Sequence, residues 1–392
     1  MLNKKNKKVL LISPFFYPEK ISTGKYNTIL SESLRERGFR TKVLCSYPIY
    51  PKWKVQISNE ELPGIDIQRN GRWVKYPKSS LLRRFVLEFW FTVNILLKTF
   101  LVFRYENIIC VIPPSLFCLF VCILAKKSRL ICIIHDLQGV HITTSNSISK
   151  KLIARLIKSI EATIFRKSRH LIFLSSEMKD VVNAEFADLE LKSSVIYPPI
   201  TVDTFNNNRD LDFIFNKRYV NIVYSGALGD KQSPELLIEL AQLIISKSNF
   251  FRFIFVSNGP IFEAMKIQNS NPDIMFINLV DEIYLGELLV RSDLQIVPQR
   301  TNTSKGSLPS KIPNILKSGT SLYVITDRDS ELDKLVSEHD GCVVSNTWDI
   351  QQNYIQIMDF YKNTKFKKKN RNDCLSKFDE KRLSELVSCQ FE

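Results

Sequence analysis

Residues 225–234 read SGALGDKQSP, and the way the chain enters and leaves this stretch decides the fold. The apolar, β-branched run Val220-Asn221-Ile222-Val223-Tyr224 leads in, and a helical pattern from Glu235 to Ile245 leads out. Between them stand Gly226, Gly229 and Lys231, then Ser233 and Pro234, a good helix N-cap followed by the residue best tolerated at the first helical position. A strand, a glycine-bearing turn and a freshly capped helix make an anion site. Orphan N–H groups and the positive helix end point at the ligand, and Lys231 adds a full charge. Two readings are open for the stretch: a loop that holds the phosphates of a nucleotide-sugar, or an ordinary strand–helix turn of a doubly wound sheet.

The same alternation extends in both directions. Downstream, strands are expected at 251–256, 274–277, 294–297, 322–326 and 342–345, with helices at 261–267, 283–291, 309–317 and 330–337. Upstream, the unbroken apolar run 9–13 suits a strand buried on both faces of a parallel sheet; it is too short for a signal-peptide core. A loop, PFFYPEKISTGKYN, then a helix from about 26 to 37 and a strand at 41–47 continue the pattern. Further strands fall at 130–134, 171–174 and 195–196, and further helices at 116–125, 149–166 and from 176. At 392 residues two domains are expected, and the shift to Pro, Asn and Asp after Pro198-Pro199 is the best linker. The expected division is 1–207 and 208–392, with a last helix at about 379–387 that crosses back onto the first half. The fold class is α/β: two Rossmann-like, doubly wound domains facing across a cleft.

Composition narrows the partners. A net charge of +15 calls for something anionic: nucleic acid, acidic lipid headgroups or a phosphorylated substrate. No dense basic run interleaved with aromatic residues occurs outside two lysine-rich stretches, which ranks nucleic acid last. The eight cysteines mostly lie inside apolar runs with no CxxC pair, as expected of reduced, buried thiols. None of the four histidines stands at metal-ligand spacing, so no metal is expected. The run 81–104, LLRRFVLEFWFTVNILLKTFLVFR, nearly has the length to span a bilayer, but Glu88, Asn94 and Lys98 sit inside it. It reads either as a helix lying in the headgroup region or as a long core helix. Gly24-Lys25 is not a Walker motif, because Glu19 occupies the place of its first glycine. His135-Asp136, at the end of a predicted strand, stands where catalytic groups gather in open α/β sheets.

Several segments together resemble a known family. SPFFYPEKISTGKY, YPIYPKW, IYPPITVDTF, YSGALGDKQ, QIVPQR and LPSKIPNILKSG occur in that order. They resemble the retaining GT-B glycosyltransferases of family 4, in the WcaI/WbuB-like branch of bacterial capsule and O-antigen synthesis, over roughly residues 7–385. The resemblance implies a nucleotide-sugar held mainly by the C-terminal domain and transfer with retention at the anomeric carbon. It also implies site residues. Thr23 and Gly24 match the turn that approaches the donor phosphates; Lys231, with Gly226 and Gln232, matches the group that neutralises the diphosphate leaving group. Ser310 and Lys311 form a second candidate phosphate contact, Asn258 and Gly259 follow the second donor-domain strand, and Leu279 and Val280 sit where the base is read. Asp136, with His135, matches the group that orients the acceptor or a sugar hydroxyl. The sequence departs from the family at one point. Of two glutamates eight positions apart, the first falls near Gly306 and the second on Asn314, leaving Asn314 and Glu331 as candidates for the sugar or ribose hydroxyls. No cofactor or metal is implied.

The expected activity is transfer of a hexosyl or N-acetylhexosaminyl group from a UDP- or GDP-linked donor to a polyprenyl-diphosphate-linked glycan. The expected place is the inner face of the cell membrane, peripherally bound to anionic lipid. An inactive assembly subunit and a GT-B nucleotide-sugar epimerase are the alternatives.

Overall fold

The structure, a computed structural model, describes residues 7–50, 52–126, 130–137, 148–187, 189, 191–202, 204–304, 308–371 and 375–391, without the side chains of 80, 81 and 148–154. The chain forms two compact units, Met1–Pro199 with Asp379–Glu392, and Ile200–Phe378.

The first unit holds β1 (Lys8–Ile12), β2 (Arg40–Ser46), β3 (Ile65–Asn70), β4 (Asn107–Ile112), β5 (Leu130–Ile134), β6 (His170–Phe173) and β7 (Ser193–Val195). They form one sheet in the order β3-β2-β1-β4-β5-β6-β7, parallel throughout. Its helices are α1 (Ser22–Glu36), α2 (Ser80–Leu96), α3 (Thr99–Arg104), α4 (Leu116–Leu124), α5 (Ile148–Lys167) and α6 (Ser176–Glu185). The unbroken apolar run of β1 is explained by burial on both faces. Val9 and Leu11 join Leu30 and Leu34 of α1 in one core, while Leu10 and Ile12 join Trp90, Phe91 and Phe117 of α2 and α4 in the other.

The second unit repeats the plan with β8 (Val220–Ser225), β9 (Phe251–Ser257), β10 (Ile274–Asn278), β11 (Leu294–Pro298), β12 (Ser321–Ile325) and β13 (Cys342–Ser345). The order is β10-β9-β8-β11-β12-β13, again all parallel. Around it lie α7 (Pro234–Lys247), α8 (Pro260–Gln268), α9 (Leu285–Arg291), α10 (Ile312–Ser318), α11 (Glu331–Ser337) and α12 (Ile350–Thr364). The last helix, α13 (Lys381–Phe391), belongs to the first unit. Its Leu383, Val387 and Phe391 share a core with Leu34 and Phe39, and Arg37 donates to Ser384 Oγ at 3.1 Å and Glu385 Oε1 at 2.8 Å.

The elements differ from the sequence expectations in instructive ways. β3, β4 and α12 are additions. β4 is an unbroken buried run, NIICVI, whereas β3 is a half-buried, polar edge strand with no apolar signature. The helix expected from 26 begins at Ser22, which brings Thr23 and Gly24 out of the loop and into the first turn of α1. Asn27, which interrupts its apolar pattern, is buried because Nδ2 donates to Ser13 Oγ at 3.0 Å and Phe15 O at 2.9 Å. The run 81–104 is two helices, not one, since the Lys98 N–H turns back to Ile95 O at 2.9 Å between α2 and α3. Among the described residues no helix is long and apolar enough to cross a membrane. Glu88 of α2 points at the start of α4, where its two oxygens accept the N–H groups of Ser115 and Leu116, each at 3.0 Å. A carboxylate there offsets the positive end of the helix.

Among the described cysteines all are free. Cys118, Cys122 and Cys132 converge beneath α4, with Cys118 Sγ at 4.0 Å from Cys122 Sγ and 3.5 Å from Cys132 Sγ. Burial in the apolar core pushes the Cys118 thiol well up.

Candidate functional site

In parallel α/β sheets ligands meet the carboxyl ends of the strands. In the second unit β8 ends at Ser225, and Gly226 follows with φ +119°, a conformation that favours glycine. Its N–H still donates to Val256 O at 3.0 Å, so the turn starts inside the sheet ladder. A Cβ on Gly226 would stand 3.3 Å from Lys311 Nζ. Lys311 reaches this spot from the residue before α10: Nζ donates to Ser225 O at 2.6 Å and lies 4.3 Å over the Tyr224 ring. No carboxylate pairs with it among the described residues, and desolvation pulls its pKa down to about 7. Gly226 and Lys311, 85 positions apart in the chain, are thus brought into contact. A half-buried ammonium without a counter-ion is suited to receive an anion.

The rest of the loop is braced by its own side chains. A 3-10 turn, Asp230–Gln232, carries Lys231, whose side chain is exposed. Gln232 Oε1 accepts the Gly229 N–H at 3.0 Å, so this candidate donor contact holds the loop itself. Pro234 does open α7, but Ser233 does not cap it with its side chain. The 3-10 turn leaves Ser233 left-handed at φ +46°, and its buried hydroxyl instead accepts from Arg300 Nε at 3.3 Å. Arg300 is the residue that sequence reasoning missed. Its N–H donates to Lys231 O at 2.7 Å, and its Nη2 pairs with Glu235 Oε1 at 2.5 Å. A cation two residues past the end of β11, in QIVPQR, was the available signal.

Other candidates are scattered along the same edge. Half-buried Asn258 and Gly259 follow β9, with Gly259 at φ +106° at the start of α8 and open space where a Cβ would be. Leu279, exposed after β10, is free to face a ligand, whereas Val280 packs against the core of Leu211 and Ile214. Ser310 is exposed beside Lys311. Glu331, buried, opens α11, whose N-cap Ser330 accepts the Asp333 N–H at 3.1 Å. Asn314 is turned elsewhere. Its Oδ1 accepts the N–H groups of Thr201 (2.9 Å) and Val202 (3.2 Å), and Nδ2 donates to Thr201 Oγ1 at 3.0 Å. That leaves only one donor hydrogen for anything else. Gly306 lies outside the described residues.

In the first unit the structure gathers Thr23, Gly24 and His135 at the carboxyl edge. Thr23 Oγ1 and His135 Nδ1 share a hydrogen bond of 3.4 Å, and the imidazole stacks on Tyr26 at 5.8 Å between ring centroids. Desolvation holds the His135 pKa down at about 4, so the ring is neutral at pH 7. Asp136 is half-buried beside it. Gly24 is required by close approach: a Cβ would sit 2.8 Å from Glu19 O. Glu19 is itself buried, accepting the N–H groups of Ile49 (2.7 Å) and Tyr50 (3.1 Å), and burial pushes its carboxyl up. It therefore ties the PFFYPE and YPIYP segments together, a second role the sequence did not signal. A cavity of about 610 Å3 lined by Lys8, Arg40 and Lys42 opens at the opposite, amino edge of this sheet, away from all these residues.

Two parallel, Rossmann-like units with polar groups on their carboxyl edges define the GT-B class of folds. Solved structures agree. The chain is similar to sucrose-phosphate synthase from Thermosynechococcus elongatus, with TM-score 0.70 and 14% identity over 98% of this chain and 95% of that one. It is also similar to WaaG, a glycosyltransferase involved in lipopolysaccharide biosynthesis, with TM-score 0.64 and 13% identity over 98% of each chain. The family model of Glycosyltransferase Family 4 matches residues 23–204. WcaI of Escherichia coli (strain K12), assigned as a glycosyl transferase of colanic acid biosynthesis, is 26% identical over 369 residues, 86% of this chain and 88% of that protein. These matches, over residues 23–204 for the family model and over most of both chains for WcaI, support reading the chain as a glycosyltransferase similar to family 4 and to WcaI.

Proposed function

We propose that this chain moves a hexosyl or N-acetylhexosaminyl group from a UDP- or GDP-linked donor to a polyprenyl-diphosphate-linked glycan in surface-polysaccharide synthesis, with retention of anomeric configuration. The observation that carries the reading is the carboxyl edge of the second sheet, where Gly226, Lys231 and Lys311 offer one glycine turn and two cations, with no carboxylate bound to either among the described residues. A diphosphate leaving group needs that charge as its bond to the sugar breaks. Lys231 serves as the exposed cation and Lys311 as the enclosed one. Asn258, Gly259, Leu279, Ser310 and Glu331 surround the donor along the same edge, and no metal takes part. Asp136 and neutral His135 orient the acceptor or a sugar hydroxyl. The work is done at the inner face of the cell membrane, against anionic lipid, as the charge of +15 favours.

The test is thermal stability of the purified protein with UDP, GDP, ADP, CMP and dTDP in turn, beside Lys231→Ala. A ligand that binds only the folded state raises the melting point according to its affinity. The expected result is one diphosphate that stabilises the native protein and loses its effect in the variant. No response to any of them would sink the donor-site reading. Release of free sugar or a changed nucleotide-sugar, instead of a linked product, would favour the epimerase alternative.

A further inference from the structure

The outward face of α2 and α3 is unlike the rest of the first unit. Along α2 the exposed side chains include Leu82, Phe85, Phe89, Val93 and Leu96, at steps of three and four residues that keep them on one side. Leu97 at the break, then Phe100 and Phe103 of α3, extend the series. They are 37% to 77% exposed, while Leu87, Trp90, Phe91 and Ile95 on the other side are in the core. Scattered exposed apolar residues are normal, but a two-helix series of this length is not.

Charge completes the pattern. Residues 72–104 hold seven cations (Arg72, Lys75, Lys78, Arg83, Arg84, Lys98 and Arg104) against one acid, Glu88. That acid is turned inward onto the first turn of α4, so it does not interrupt the apolar side. Arg72, Lys75, Lys78, Arg84 and Arg104 are exposed, and Trp73, also exposed, meets Trp90 edge-on at 6.4 Å. Aromatic and aliphatic residues flanked by arginine and lysine are the composition of a surface that lies in the headgroup layer. A second copy of the chain is a poor occupant, since it would set cations against cations with no acid on the face to pair with.

We propose that the α2–α3 face docks the chain onto a bilayer containing anionic phospholipid, with Phe85, Phe89 and Phe100 entering the boundary between headgroups and acyl chains. The proposal rests on the functional reading above for why a bilayer is met, and on the exposed face for where. It makes the membrane contact a property of one surface of the first unit and leaves the donor edge of the second unit out of it.

The experiment is flotation of the full chain with vesicles of phosphatidylethanolamine and phosphatidylglycerol, or of phosphatidylcholine alone. The variants are Phe85→Ser/Phe89→Ser/Phe100→Ser and Arg84→Glu/Arg104→Glu. The expected result is binding to the anionic vesicles that falls at least tenfold in the triple serine variant. In the charge variant it falls to the level the native chain shows on phosphatidylcholine. Melting points should be unchanged, because the altered side chains are exposed. Failure of the native chain to float with anionic vesicles, or equal flotation of the serine variant, would overturn the proposal. So would light scattering that shows a dimer dissociated by the serine changes without any vesicle binding. Transfer to a water-soluble acceptor analogue separates this from the functional reading. The serine variant should keep it, and a native chain that floats but transfers nothing would leave the docking face standing while the transferase reading falls.

Discussion

The carboxyl edges of the two sheets are built on the same strand order and carry opposite chemistry. In the six-stranded sheet the edge presents Lys231 and Lys311 and is self-braced: Lys311 leans on Ser225 O, while Arg300 holds Lys231 O, Ser233 and Glu235 together. In the seven-stranded sheet it carries a neutral imidazole, stacked on Tyr26 and loosely joined to Thr23, with one carboxylate, Asp136, beside it. Strand order fixes where a ligand edge lies, and the loop side chains fix which charge it welcomes. On the proposed function, one edge takes the diphosphate. The other, on the same reading, meets hydroxyl groups.

Substitutions can break that division or sharpen it. Lys231→Ala should lower the rate of sugar transfer by about 10²–10³ while leaving the melting point unchanged, because an exposed side chain is removed from a loop held by others. A larger loss for His135→Ala than for Lys231→Ala, in the same steady-state assay, would reverse the roles assigned to the edges. Asn314→Ala should cost about 2–3 kcal/mol of stability in urea unfolding, since two backbone N–H groups and the Thr201 hydroxyl lose their partner. The melting-point response to a nucleoside diphosphate should survive that change. If stability is intact and the response is gone, Asn314 is a ligand group after all.

Two pH dependences separate the edges further. His135 titrates at about 4 in the folded chain, below the ordinary 6.5, so the unfolded chain binds more protons between those values. Stability present above pH 6.5 should be lost as pH falls towards 4, by about 1–3 kcal/mol, and His135→Gln should flatten that slope in denaturation curves. Lys311 gives the opposite edge an effect on ligand affinity instead. Its pKa of about 7 in the free protein means that a diphosphate binds with uptake of a proton once the pH exceeds 7. Affinity should therefore fall by up to about tenfold per unit from pH 7 to 9, measured by titration calorimetry, and Lys311→Met should abolish the dependence.

Much of the fold was legible because parallel strands covered on both sides are unbroken apolar runs, as in Val9–Ile12 and Val220–Tyr224. β3 was not, since Asp66, Gln68 and Asn70 on an edge strand give no such run. In the candidate site, Gly226 and Lys231 could be read from one local stretch. Lys311 could be read as a cation, but not its capture by a carbonyl 86 residues away. Ser233 illustrates a local rule overridden: residue type and a following proline both favour a side-chain cap, and a preceding 3-10 turn redirects the hydroxyl to Arg300. Asn314 was assigned to the donor because nothing near it in sequence could disclose partners at Thr201 and Val202.

Glu88 also bears on the cost of placing its segment in lipid. From Phe85 to Leu97 it is the one charged residue in thirteen, and an acid inside an apolar segment raises the cost of insertion into a bilayer, by up to about 3 kcal/mol at the centre. With an aliphatic residue in its place, α4 would lose the carboxylate on its first turn, and the segment would lose that cost of insertion. The same side chain thus makes the segment costlier to bury in lipid and, once folded, holds the start of α4.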